Sequence, residues 1–184
     1  MSGFLILLIS ILLFLVLVLT MFFLIVEMIA RFSSDAPFVN SPEEIIKPLV
    51  NRLSLNDQTI LFDLGCGDAQ VIKKISKLYP ETKIVGVEGA VFPYLLAKFN
   101  TRKNNNIEIR MENFFNTNLE KATHIFIYLY PKVIEELMPV LEKKCKPGTM
   151  VISCDFEDKN REAEEIIDIQ TLAKRGKRLI VYKL

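Results

Sequence analysis

The sequence predicts an α/β fold, in which short and mostly parallel strands alternate with helices, carried behind one N-terminal membrane-spanning helix. Three observations predict it. Residues 61–70, Leu-Phe-Asp-Leu-Gly-Cys-Gly-Asp-Ala-Gln, run an apolar, β-favouring segment into a glycine turn and then a helix-like stretch. A second β-type run, Lys83-Ile-Val-Gly-Val-Glu88, follows and ends in an acid. From Gly3 to Val26 no residue is charged, and Leu, Ile, Val and Phe dominate.

As a helix, the apolar stretch would be about 36 Å long, enough to cross a hydrocarbon core of about 30 Å. It lacks the basic n-region, short apolar stretch and small-residue cleavage site of a signal peptide, so it is expected to remain as an anchor. Arg31 and Lys47 follow the segment and no Lys or Arg precedes it, which predicts a single-pass membrane protein whose domain faces the cytoplasm. Ser33-Ser-Asp-Ala-Pro37 reads as linker. The expected organisation is an anchor over 1–30, a linker over 31–40 and one domain over 41–184, within the usual single-domain range.

The anchor inflates the 51% hydrophobic fraction and the mean hydropathy of +0.29. With 23 basic and 22 acidic residues, the chain has no net field to steer nucleic acid, and none is expected as a partner. Cys66, Cys145 and Cys154 lack paired metal-type spacing and His124 is the sole histidine, so metal and triad chemistry are not expected. Cys66 reads as a small buried filler and His124 as a strand-edge residue.

Down the domain, Ser41-Pro-Glu-Glu44 carries a cap, an N1 proline and a capping-box acid, and Ile45, Ile46, Leu49, Val50 and Leu53 then share one helical face. The first strand follows, then a helix near 69–78, a strand over 83–88 and a helix near 92–100. Strands are expected at 107–111, 124–129 and 149–154, with a helix from Pro131 to about Lys144. The β-type runs 166–172 and 178–184 flank Lys174-Arg-Gly-Lys177 and read as a hairpin with a solvated basic tip, contact of that tip with anionic lipid headgroups being the alternative.

Gly65 and Gly67 can take positive φ and let a ligand approach the backbone beside a helix N-terminus. An acid at Glu88, ending the second strand, is placed to accept both hydroxyls of a ribose. A dinucleotide dehydrogenase also uses these parts, but its third glycine is replaced here by Gln70.

Asp63-Leu-Gly65-Cys-Gly67-Asp68 resembles the first motif of class I S-adenosylmethionine-dependent methyltransferases, which sets an acid two residues before a Gly-x-Gly turn. The resemblance implies a Rossmann-like seven-stranded sheet with an antiparallel last strand, and S-adenosyl-L-methionine as cofactor. It implies a binding set of Asp63, Gly65, Cys66, Gly67, Asp68, Glu88, Glu112 and Asn113. Asp63 would hold the methionine moiety and the turn, and Glu88 the ribose. Asn113, with Glu112 as second choice, would meet the adenine amino group, and Asp68 would bind through water or cap the next helix. Transfer needs few catalytic groups, and by the same resemblance Tyr128, Tyr130 and Pro131 at the exit of strand four would line the acceptor site. Strand alternation would put both tyrosines on one face.

A narrower resemblance adds the anchor, Pro42-Glu-Glu-Ile-Ile46, Phe126-Ile-Tyr-Leu-Tyr-Pro131 and Lys146-Pro-Gly148. Together these are similar to the small membrane-anchored protein-lysine methyltransferases of the ATP synthase c-subunit and adenine nucleotide translocase group, with their prokaryotic relatives. That resemblance implies a lysine on a membrane protein as acceptor. The sequence departs from the group at Ala69 and Gln70 and over 156–160, which lacks a proline-rich stretch. A methyltransferase for a lipid or small molecule is the alternative, and a non-enzymatic anchored module the second. The intact Asp63, Gly65, Gly67 and Glu88 argue against that module.

Overall fold

In the computed structural model, residues 2–33 and 43–184 are described, with side chains over 3–26 and 44–184. They fall in two units, Met1–Ser34 and Asp35–Leu184. The first is a single helix, α1 (Ser2–Ser33). Its stretch Gly3–Val26 is long and apolar enough to cross a membrane. The Ser10 hydroxyl donates to the Ile6 carbonyl at 2.9 Å and the Thr20 hydroxyl to Leu17 at 2.8 Å, so the polar groups on this apolar surface are satisfied within the helix.

The second unit opens with a 3-10 turn (Glu43–Ile45) and α2 (Ile46–Leu53), whose Ile46, Leu49, Val50 and Leu53 are buried. The Ser41 cap and N1 proline lie outside the described residues. Then follow β1 (Ile60–Leu64), α3 (Gln70–Leu78), β2 (Lys83–Glu88), α4 (Val91–Thr101), β3 (Ile107–Met111), β4 (His124–Ile127), α5 (Pro131–Lys144), β5 (Met150–Cys154), β6 (Glu165–Asp168) and β7 (Arg178–Lys183). The sheet order is β3-β2-β1-β4-β5-β7-β6, parallel through β5, with β7 antiparallel to both its neighbours. This is the seven-stranded Rossmann-like sheet with an antiparallel last strand that the motif pattern predicts. β1 lies between β2 and β4, so the order reverses beside it and a crevice opens at the carboxyl ends of these strands.

Alternation divides the core between the two faces of the sheet. Leu61, Ile84, Phe126 and Ile152 pack with α2 and α3, and Phe62, Val85, Ile125 and Val151 pack with α5. Gly86 faces the first layer, where a Cβ would come within 2.8 Å of Ile72 and Ile109 and 2.9 Å of Cys66. The absent side chain lets α3 approach the sheet.

Two elements differ from expectation. β4 ends at Ile127 rather than at 129, because Tyr130 is already the extended N-cap of α5 and Pro131 fills its first turn. The β6–β7 connection is longer than the four residues expected, running from 169 to 177. Its far end turns at Gly176 (φ +73) and is held by the Asp155 carboxylate, as described below.

Candidate active site

The glycine turn is fixed by the end of β2. The Gly65 and Cys66 amides both donate to the Val87 carbonyl, at 2.8 and 3.0 Å. Gly65 (φ +82) and Gly67 (φ +57) take the left-handed conformation that glycine permits. A Cβ on Gly65 would also lie 2.9 Å from Leu129 of the strand-four exit. Ala69 holds the same conformation (φ +65) and is the N-cap of α3. No side chain caps that helix, so Asp68 does not play the capping role considered for it. Its carboxylate instead accepts from Gln70 Nε2 at 3.1 Å and its carbonyl from Asn100 Nδ2 at 3.0 Å.

Glu88 uses both oxygens, Oε2 accepting from the Gly67 amide of the turn at 2.9 Å and Oε1 from the amide of Ala90, the N-cap of α4, at 2.8 Å. Each oxygen keeps a further lone pair for a ligand. Burial raises the Glu88 carboxyl above its ordinary pKa, and the backbone donors partly offset this. Asp63, opposite Gly86 in the sheet, is buried and has no hydrogen-bond partner among the described residues. Burial, and then the neighbouring charge of Glu88, push its carboxyl up to about 8. Cys66 is buried beside them, and burial followed by the Asp63 and Glu88 charges drives its thiol pKa up, which keeps it a protonated filler.

After β3 the two candidates separate. Asn113 is exposed, and its Oδ1 accepts from the Phe115 amide at 2.9 Å in a local turn. Glu112 instead has a buried Oε1 with no hydrogen-bond partner among the described residues. The sequence favoured Asn113; the geometry leaves Glu112 with the unmet hydrogen bond.

Tyr128 and Tyr130 diverge as well. With β4 ending at Ile127, alternation no longer relates them. Tyr128 is half-buried and donates to Asp155 Oδ2 at 2.7 Å, whereas Tyr130 is exposed. Burial and then the bond to Asp155 hold the Tyr128 phenol well above its ordinary pKa. Pro131 is partly exposed at the start of α5.

Asp155 was not singled out in the sequence. It follows β5 at φ +66 and accepts from the Gly176 amide at 2.6 Å and from the Lys177 and Arg178 amides at 2.6 and 3.3 Å. Burial pushes its carboxyl up, but the Tyr128 hydroxyl and these three amides outweigh burial and leave its pKa below the ordinary value. The available signal was its place directly after the parallel strand β5, at the same carboxyl edge of the sheet where Glu88 ends β2. His124 starts β4, at the opposite edge of the sheet.

The Asp63 carboxyl and Glu112 Oε1, neither with a hydrogen-bond partner among the described residues, and the two Glu88 oxygens thus stand at the carboxyl ends of β1, β3 and β2, beside a turn that lacks side chains at positions 65 and 67. This donor-poor, acceptor-rich set fits a ligand carrying an ammonium group, a ribose and an amino-bearing base.

A family model described as the ANTKMT methyltransferase domain matches residues 63–165. The chain belongs to that family. It is a class I S-adenosylmethionine-dependent methyltransferase. A protein-lysine N-methyltransferase of Saccharolobus islandicus (strain REY15A) is 34% identical over 137 residues, which cover 73% of this chain and 85% of the relative. Among solved structures, an RNA methyltransferase from Salinibacter ruber, in complex with S-adenosyl-L-homocysteine, has a TM-score of 0.72 at 23% identity and covers 79% of this chain and 93% of that one. PKMT2 from Rickettsia typhi has a TM-score of 0.52 at 19% identity, covering 64% of this methyltransferase and 27% of that chain. These two likenesses are of fold.

Proposed function

We propose that this methyltransferase is held in a membrane by α1, with its domain on the cytoplasmic side, and N-methylates a lysine of a protein substrate. The observation that carries the cofactor half is the set of acceptors beside the Gly65–Gly67 turn, above all the buried Asp63 carboxyl, which has no hydrogen-bond partner among the described residues. The name of the Saccharolobus relative supports lysine as the acceptor. The uncharged stretch Gly3–Val26 supports the anchor, and Arg31 after it supports the orientation.

When bound, S-adenosylmethionine supplies a methyl group on a sulfonium, with a neutral thioether as leaving group. Asp63 pairs the cofactor's ammonium, and the backbone around Gly65, Cys66 and Gly67 receives its methionine part. Glu88 accepts from the ribose hydroxyls while still holding the turn, and Glu112 accepts from the adenine amino group in preference to Asn113. Asp68 reaches the cofactor through water. Tyr128, with its proton committed to Asp155, offers only oxygen lone pairs and so orients an N–H of the incoming amine. Tyr130 and Pro131 wall the acceptor.

Calorimetric titration of S-adenosylmethionine into the full chain in detergent tests the first half. Micromolar binding that is lost in Asp63→Ala and Glu88→Ala, and weakened more by Glu112→Ala than by Asn113→Ala, is expected. Incubation with methyl-labelled cofactor tests the second half. Label recovered as methyl-lysine supports the reading, and label extracted into lipid or a small molecule overturns it.

A further inference from the structure

A surface helix normally turns its polar side to water. α4 does the reverse. Ala97 and Thr101 are buried against the sheet, while Val91, Phe92, Leu95 and Phe99 stand 48–61% exposed. Val91, Leu95 and Phe99 are spaced four apart, so they form one stripe along the outward side. Met111, which ends the edge strand β3, is likewise 51% exposed.

Along α4 and the turn after it the charge has one sign, and Glu108 on the neighbouring strand, which lies near Lys98, is paired with Arg110 at 2.7 Å. Residues 91–107 contain Lys98, Arg102 and Lys103 and no acid. All three basic residues are exposed, and the Arg102 guanidinium lies 3.9 Å over the Phe99 ring. Large apolar side chains flanked by exposed cations suit an interface of acyl chains beneath anionic headgroups. A single protein partner would more often supply matched acids and a shaped pocket.

Reach agrees with this occupant. A chain the length of 34–42 can span at most about 30 Å, so on the anchored reading the domain is tethered within that distance of the end of α1. α4 also begins at Val91, three residues after Glu88, whose carboxylate holds the Gly67 amide, so the stripe starts at the carboxyl edge of the sheet beside the glycine turn.

We propose that the outward face of α4, Val91, Phe92, Leu95 and Phe99 with Lys98, Arg102 and Lys103 beside them, is a docking surface for an anionic bilayer. The inference rests on the anchored reading above for the bilayer it meets. Docking through this face brings the cofactor edge to the membrane plane, where a lysine near a headgroup is within reach.

The chain contains no Trp, so single substitutions report cleanly. The full-length Phe99→Trp and Phe14→Trp variants would be reconstituted separately into phosphatidylcholine and phosphatidylglycerol vesicles whose acyl chains carry bromine. The expected result is blue-shifted emission quenched by brominated lipid at both positions. At position 99, quenching should fall when phosphatidylglycerol is omitted and be lost when Leu95→Glu is added. Quenching at 14 with solvent-like, unquenched emission at 99 overturns docking and leaves the anchor standing. Blue-shifted but unquenched emission at 99 also overturns it, in favour of contact with a second copy. Absence of quenching at 14 overturns the anchored reading by itself, and quenching at 99 in that case still supports docking.

Discussion

The Tyr128 phenol and the Asp155 carboxylate, 27 positions apart in the chain, meet at 2.7 Å where β4 and β5 end. Oδ2 of Asp155 receives that proton and the Gly176 amide, and Oδ1 receives the amides of Lys177 and Arg178. One carboxylate therefore ties the exit of β4 to the approach to β7.

Asp155→Asn keeps the shape and tolerates the left-handed backbone, but it removes the charge and replaces one accepting oxygen with an amide donor. The loss of charge-assisted bonds should destabilise the chain by about 1–2 kcal/mol at neutral pH. Because the folded carboxyl titrates below its unfolded value, its contribution is present above the unfolded pKa and disappears as pH falls through the folded one. Urea titrations of the two proteins should accordingly differ at pH 7 and converge in acid.

Asp63 has the opposite sign. Its carboxyl is raised from an ordinary 3.8 to about 8, so between these values the folded state holds a proton that the unfolded state has released. Stability of the cofactor-free chain should fall as pH rises through that window, and Asp63→Asn should flatten the slope. An ammonium paired to Asp63 restores its ionised form, so S-adenosylmethionine binding at pH 7 should release a proton. Calorimetry in buffers of different ionisation enthalpy measures it; a heat independent of buffer would contradict the pairing.

Gly86→Ala forces a methyl against Ile72, Ile109 and Cys66 together. Side-chain ends can yield singly, but three in one packed layer should leave a loss of about 1–3 kcal/mol. Gly65→Ala adds a left-handed backbone to its clash with Leu129 and should also weaken cofactor binding, read by thermal shift with S-adenosylhomocysteine.

Ser54 ends α2 at φ +47 and is exposed. Ser54→Gly should stabilise the chain by about 0.5–1 kcal/mol. Ala69→Gly relieves similar strain but exposes the buried position to the loss of a methyl worth about 0.8 kcal/mol, so its midpoint should barely move.

The parts of this site that could be read from the sequence are those where the backbone makes a demand. A turn at φ +82 and +57 leaves glycines at 65 and 67, and buried parallel strands leave apolar runs ending in Asp63 and Glu88. Asp155 was opaque because its partners are backbone amides more than twenty residues away, and amides leave no mark on residue type. The choice between Glu112 and Asn113 turned on one position of register after β3, which neighbouring polar residues cannot reveal. The end of β4 depended on Pro131 claiming Tyr130 for the next helix, a preference that competes with the β propensity of Tyr128 and Leu129.

The placement of β7 between β5 and β6 also sets an order of events during synthesis. While the ribosome is still making residues 178–183, β5 is an open edge whose amides and carbonyls have no neighbour, and β6 has no strand to pair with. The apolar helix α1 precedes every strand in the chain, so on the anchored reading proposed above the chain would meet a membrane while its sheet is unfinished. The enzyme would then be completed there by its last strand.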